Sequence, residues 1–130
     1  MTAEGARMKY LCLAYYDAEK LAAFPKAEFD AIVSRCAQHD AELRASGRLM
    51  LSGSLAPPAS WMAIRPREGR PVVTDGPYAE TKELVGGVFI IEAQDLNDAV
   101  RVASKHPAAH LGAELGWGIE ILPIDRLVTG

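Results

Sequence analysis

Residues 73–87 read Val-Thr-Asp-Gly-Pro-Tyr-Ala-Glu-Thr-Lys-Glu-Leu-Val-Gly-Gly, placing three carboxylates, a lysine, a phenol and a proline between two apolar runs. A tight hairpin needs only about two polar turn residues, so this stretch carries more chemistry than a connection requires. Asp75-Gly76 supplies a turn, and Pro77 stiffens the chain on its C-terminal side. Read as extended chain, Tyr78, Glu80 and Lys82 share one face, and Thr81 and Glu83 the other. Phenol, carboxylate and ammonium in a row could line a polar ligand site with an aromatic wall. The same residues could instead form a rigid insertion with a surface ion pair worth under about 1 kcal/mol.

A second group lies at His39 and Asp40, within a helical pattern over 26–46 in which Phe29, Ile32, Val33, Cys36 and Leu43 form one apolar stripe. At about 100° per residue His39 falls at the edge of that stripe, and Asp40 inside it, between Val33 and Cys36. A half-buried imidazole can titrate near neutrality and act as a general base; it can equally be a boundary histidine bonded to a carbonyl. A carboxylate inside an apolar stripe must be paired, protonated or turned to a wet cleft. Burying both without partners would cost a few kcal/mol, so the helix and the 75–83 segment are expected to meet in one pocket per subunit. In that pocket His39 would be the base, Asp75 its orienter and Lys82 the stabiliser of developing negative charge. Asp40, Tyr78 and Glu80 would contact the ligand, with aromatic walls from Tyr78, Tyr15 and Trp61. The chemistry would be proton transfer next to a carbonyl, as in isomerisation or HX elimination, without a cofactor. The competing reading is a non-catalytic ligand-binding or accessory protein, and these residues leave open whether the chain is an enzyme.

No metal site is expected. His106 and His110 have i, i+4 spacing, but Pro107 between them ends the helix, and no second pair completes four ligands. Cys12 and Cys36 lie in apolar runs outside any CxxC pair and read as small buried hydrophobes. G-x-S-x-G, Walker and dinucleotide-binding patterns are absent.

The elements that must position these groups are read from periodicity. Strands are expected over 8–16, 49–55, 88–92 and 118–124, a loop or short helical turn over 17–25, and helices over 26–46 and 95–106. A hairpin is expected around Arg67-Glu68-Gly69. The order is a βαββαβ, ferredoxin-like α+β fold with a β-hairpin insertion. Strands at 8–16 and 88–92 show no polar face. Two helices cover only one side of the sheet, so a second subunit is expected on the other, giving a back-to-back homodimer. The 130 residues suit one domain, set at 8–127 after a disordered tail at 1–7. A net charge of −3 recommends neither nucleic acid nor anionic lipid as a partner. With no bilayer-length apolar run and no signal-peptide pattern, a cytoplasmic protein with an unknown small-molecule ligand is expected.

Four runs, Leu49–Pro58, Trp61–Pro66, Val72–Glu92 and His106 through Gly118–Ile124, together resemble the YCII-related family. The Asp75-Gly76-Pro77-Tyr78 run followed by Ala79-Glu80-Thr81-Lys82-Glu83 is similar to its DGPF branch, with tyrosine in place of phenylalanine. The resemblance spans roughly residues 8–125 and implies a dimeric α/β barrel of ferredoxin-like subunits. It implies little about activity. Most DGPF members have no assigned reaction and are often encoded beside extracytoplasmic-function sigma factors, which suggests an accessory role in sigma-factor regulation as an alternative. More distant relatives include a dehydrochlorinase-type enzyme, and a His–Asp pair in a cleft is the proposed catalytic unit. A helix histidine found in another branch would fall at or near Cys36, whereas this chain has His39, and the frequent Glu-Val-Arg-Pro run is Glu120-Ile121-Leu122-Pro123 here.

Overall fold

The structure is a computed structural model and describes residues 7–130. The tail expected at 1–7 therefore lies outside the described residues except for Arg7. The elements are β1 (Met8–Asp17), α1 (Ala18–Ala23), α2 (Lys26–Ala45), β2 (Leu49–Ser54), β3 (Met62–Arg67), β4 (Arg70–Asp75), β5 (Glu83–Ala93), α3 (Leu96–Ala103) and β6 (Gly118–Pro123). Four strands form an antiparallel sheet in the order β2-β5-β1-β6, and β3 and β4 form a separate two-stranded hairpin. With that hairpin set aside as an insertion, the order is that of a ferredoxin-like α+β fold. No helix among the described residues is long and apolar enough to cross a membrane.

Strand alternation divides the sheet into two faces. Tyr10 and Cys12 of β1, Phe89 and Ile91 of β5, and Ile121 of β6 point to the helices. There they meet Leu43 of α2 and Ala99, Val102 and Ala103 of α3 in one cluster. Burial in this cluster pushes the Cys12 thiol up to about 12, so it behaves as a small hydrophobe. The alternate residues Leu11, Leu13, Val88, Ile90 and Leu122 lie on the opposite face, held in register by the pairs Leu11↔Ile90, Leu13↔Val88 and Leu11↔Leu122.

The helix face is not uniform. Toward the core end it carries large side chains. Toward the other end Ala14, Gly87, Ser52 and Ser54 occupy it, through the pairs Ala14↔Gly87, Ser54↔Gly87 and Ser52↔Phe89. Helix α2 closes on the sheet at Leu43 and on a second cluster, through Ile32, with Leu111 and Leu115. Between these anchors it spans a floor of small residues, and a cavity results.

Two local expectations change. The stripe on α2 runs through Phe29, Ile32, Cys36, His39 and Leu43, and Val33 is 45% exposed. The helix has rolled so that its other flank, with Asp40 and Arg44, faces the cavity; Asp40 is exposed there rather than inside the buried stripe. Residues 76–82 form bends, not a strand, so Tyr78, Glu80 and Lys82 do not share a pleated face. Residues 17–25, expected as a loop or short helical turn, hold the short helix α1, capped by the Asp17 carboxylate accepting from the Lys20 N–H at 3.1 Å.

Candidate functional site

The cavity between α2 and the small-residue end of the sheet has a volume of about 710 Å³, within the range of small-molecule sites. Its polar groups come from three places. Cys36, Asp40 and Arg44 lie one turn apart along α2, Ser52 and Ser54 lie two apart along β2, and His106 follows α3. Leu21, Phe29, Tyr16, Leu55 and Trp117 supply apolar and aromatic wall. Gly112, at φ 75°, lies against the Trp117 indole and leaves no room for a side chain.

His106 is the most constrained of the polar groups. Pro107 cannot continue α3, so the chain turns and His106 caps the next short turn, its Nδ1 accepting from the Ala108 N–H at 3.0 Å. Its ring stacks on Phe89 with centroids 4.5 Å apart and planes 6° apart. Phe89 is fully buried and pairs with Ser52, so His106 stands at the level of Ser52 in the cavity wall. Burial holds its pKa below the ordinary histidine value, an effect partly offset by the Asp40 charge. The ring is thus neutral at pH 7. Because Nδ1 is an acceptor, the proton resides on Nε2. His106 offers one N–H donor rather than a positive charge or a free basic nitrogen.

Asp40 and Arg44 are the fixed charges of the cavity. Among the described residues neither forms an ion pair within 4.0 Å. Asp40 also acts on Cys36, whose thiol is raised first by burial and then by this carboxylate, so Cys36 is a poor nucleophile at neutral pH.

Of the residues proposed from sequence, Asp40 and Tyr15 line this cavity. The Tyr15 hydroxyl donates to Glu120 Oε1 at 2.8 Å, and that bond raises its pKa. His39 sits on the neighbouring flank of α2, where its ring stacks on His110 at 4.7 Å, and its buried Nδ1 has no hydrogen-bond partner among the described residues. Asp75 ends β4, and no hydrogen bond joins it to His39 among the described residues. Trp61 donates from Nε1 to the Ala56 carbonyl at 2.8 Å, and its own carbonyl accepts from the Gly76 N–H at 2.8 Å. Tyr78 lies under the Arg65 guanidinium, 4.0 Å from the ring centroid, while Arg65 donates to the Tyr78 carbonyl at 2.8 Å. Lys82 approaches the buried Asp17 carboxylate at 3.7 Å, and Glu80 is exposed. None of Asp75, Trp61, Tyr78, Glu80 and Lys82 lines the cavity. Their contacts fasten the 75–83 segment to the hairpin and to the start of α1.

Arg44, Ser52, Ser54 and Trp117 were not singled out from sequence, and His106 was read only as a helix-end residue. The i, i+4, i+8 series Cys36, Asp40, Arg44 and the alternating serines in Leu-Ser-Gly-Ser were the available signals.

The strand order and the hairpin insertion define a ferredoxin-like α+β protein with a cavity under its longer helix. The YCII-related domain matches residues 8–116, and the chain belongs to that family. It is also similar to the "Uncharacterized protein R00369" of Rhizobium meliloti (strain 1021), with 29% identity over 96 residues covering 74% of this chain and 77% of that one.

Proposed function

We propose that the protein binds a small molecule in the cavity under α2 and that Asp40 and His106 provide acid–base chemistry there. The observation that carries this reading is the fixed tautomer of His106, which presents an Nε2–H in a cavity that also holds an unpaired carboxylate. Asp40 can accept a proton from a carbon acid next to a carbonyl, and the Nε2–H can donate a hydrogen bond to the oxygen on which negative charge develops. A neutral histidine suits this role because it stabilises charge without itself being a strong acid. No cofactor enters the scheme. A binding role without turnover is the second reading. It is favoured by the exposure of Asp40 and by the absence, among the described residues, of a hydrogen bond that would orient it.

The assay is solvent-deuterium exchange, followed by NMR, into a panel of small ketones, lactones and oxo acids. The acid–base reading expects exchange with the native protein and a loss of about 10²-fold or more in Asp40→Asn. Exchange that survives Asp40→Asn would remove Asp40 as the base. Saturable binding with no exchange would leave the binder.

We further propose a homodimer joined through the sheet face bearing Leu11, Leu13, Val88, Ile90 and Leu122. The helices pack on the opposite face, and these five side chains form a contiguous apolar surface across three strands. On the separate hairpin Met62, Ile64 and Val73 are each more than half exposed. Sedimentation at micromolar concentration should give a dimer; a monomer would refute the assignment. The Asp75-Gly76-Pro77-Tyr78 run supports placement in the DGPF branch of the family.

A further inference from the structure

We infer, resting on the cavity as the ligand site, that its ligand is an amphipathic carboxylate, held by Arg44 at one end and by aromatic wall at the other. The geometry of α2 orders the cavity lengthwise. At 1.5 Å per residue, Arg44 lies about 6 Å beyond Asp40 and about 22 Å from Phe29 along the helix axis. Strand β2 follows α2 in the chain and its Ser52 and Ser54 line the same cavity between the two ends, with His106 beside Ser52 through the Phe89 stack. The sequence of groups is therefore a cation, then a polar band of Asp40, Ser52 and His106, then the apolar end at Phe29 and Trp117.

Arg44 is the one Lys or Arg side chain lining the cavity among the described residues. His106 adds a donor and no charge, and the serine hydroxyls add two more donors. Asp40 is the single carboxylate lining it among the described residues, and a proton-accepting role keeps it from matching the ligand's charge. Donors exceed acceptors at the Arg44 end, so a group with two acceptor oxygens and a negative charge satisfies it; the planar guanidinium matches a carboxylate with two parallel hydrogen bonds. An uncharged or cationic head would leave Arg44 unmatched. The far wall, with Trp117 seated against Gly112, is flat and apolar and fits a hydrocarbon or aromatic body.

Trp117 reports on the cavity once Trp61, the other of two tryptophans, is replaced by Phe. Fluorescence titration would use 8-phenyloctanoate, its primary amide and 8-phenyloctylamine, long enough with the reach of the Arg44 side chain to bridge the cation and the aromatic wall. The carboxylate should bind about tenfold or more tightly than the amide. Arg44→Gln should abolish that preference while leaving amide binding intact, and Arg44→Lys should retain part of it. Equal binding of acid and amide, tighter binding of the amine, or a preference unaffected by Arg44→Gln would overturn the inference and leave the cavity as a site. If Arg44→Gln loses all three ligands, Arg44→Lys decides: a retained preference supports the inference, and its loss overturns it. Failure of all three to bind the native protein would overturn the cavity reading itself.

Discussion

Three substitutions at His106 separate the two things its ring does. His106→Phe keeps an aromatic ring for the stack on Phe89 but removes Nδ1, leaving the Ala108 N–H without its acceptor. Ala108 is buried, so the orphaned donor should cost about 1–3 kcal/mol. His106→Asn keeps a side-chain oxygen able to cap the same turn but loses the stack, at about 0.5–1.5 kcal/mol plus the lost apolar burial. His106→Ala loses both and should fall below each of the others. Urea denaturation at pH 8 reads these differences as shifts in midpoint at constant slope. A second arm varies pH. The folded-state pKa of His106 is lowered from 6.5 by burial, so below that value the unfolded chain binds more protons and the native protein loses stability as pH falls. The penalty is absent above about pH 7 and grows from there down to the folded pKa. All three variants lack this component, so their deficit against native protein should shrink between about pH 8 and about pH 5. A His106→Phe protein as stable as the native one at pH 8 would refute the cap, and a difference from native that does not change with pH would refute the neutral buried ring.

Asp98→Ala should cost about 3 kcal/mol in the same assay, because it strands the half-buried Arg48 guanidinium, bonded at 2.9 Å, and the Gln94 N–H, bonded at 3.0 Å. Those partners hold the Asp98 carboxyl well below 3.8, so the contribution is complete above about pH 5 and fades as pH falls toward the folded value; a variant as stable as native at pH 7 contradicts this. Gly112→Ala should destabilise by at least about 2 kcal/mol, through a left-handed backbone and a Cβ driven into the Trp117 indole, and an unchanged Tm would count against it. Lys82→Met removes an exposed partner of Asp17, and the carboxylate keeps its Lys20 N–H bond, so stability should change little; a large loss would show that the ion pair carries the cap.

Periodicity located the four sheet strands and α2 from their apolar patterns, and the exposed hairpin was marked by its Arg67-Glu68-Gly69 turn. It failed where tertiary packing chose among near-equal alternatives. Val33 and His39 flank the same helical stripe, and residues distant in sequence, His110 stacked on His39 and Leu111 and Leu115 against Ile32, pack on the His39 side and leave Val33 exposed. The 75–83 segment is dense in charge, which marked it as chemical. Yet an extended reading presumes a strand, and this stretch bends so that Tyr78 meets Arg65 and Lys82 meets Asp17. Tyr78 thus contacts the hairpin and Lys82 the start of α1, while Glu80 is exposed. Of the cavity's polar groups Asp40 was legible, as a carboxylate out of place in an apolar helical stripe. Its neighbours did not, because Arg44 and His106 each have an ordinary explanation at a helix end, and Ser52 gains meaning only through pairing with Phe89, 37 residues away in sequence.

The proposed ligand site lies under α2 and not at the 75–83 segment. Two-dimensional 1H–15N spectra of the labelled protein, recorded with and without saturating 8-phenyloctanoate, test it directly. Binding under α2 predicts shift changes concentrated at Ser52, Gly87, Ala108 and the Trp117 indole, with Tyr78, Glu80 and Lys82 unmoved. Changes centred on residues 75–83 and the hairpin, with the Trp117 indole and Ala108 unaffected, would contradict it.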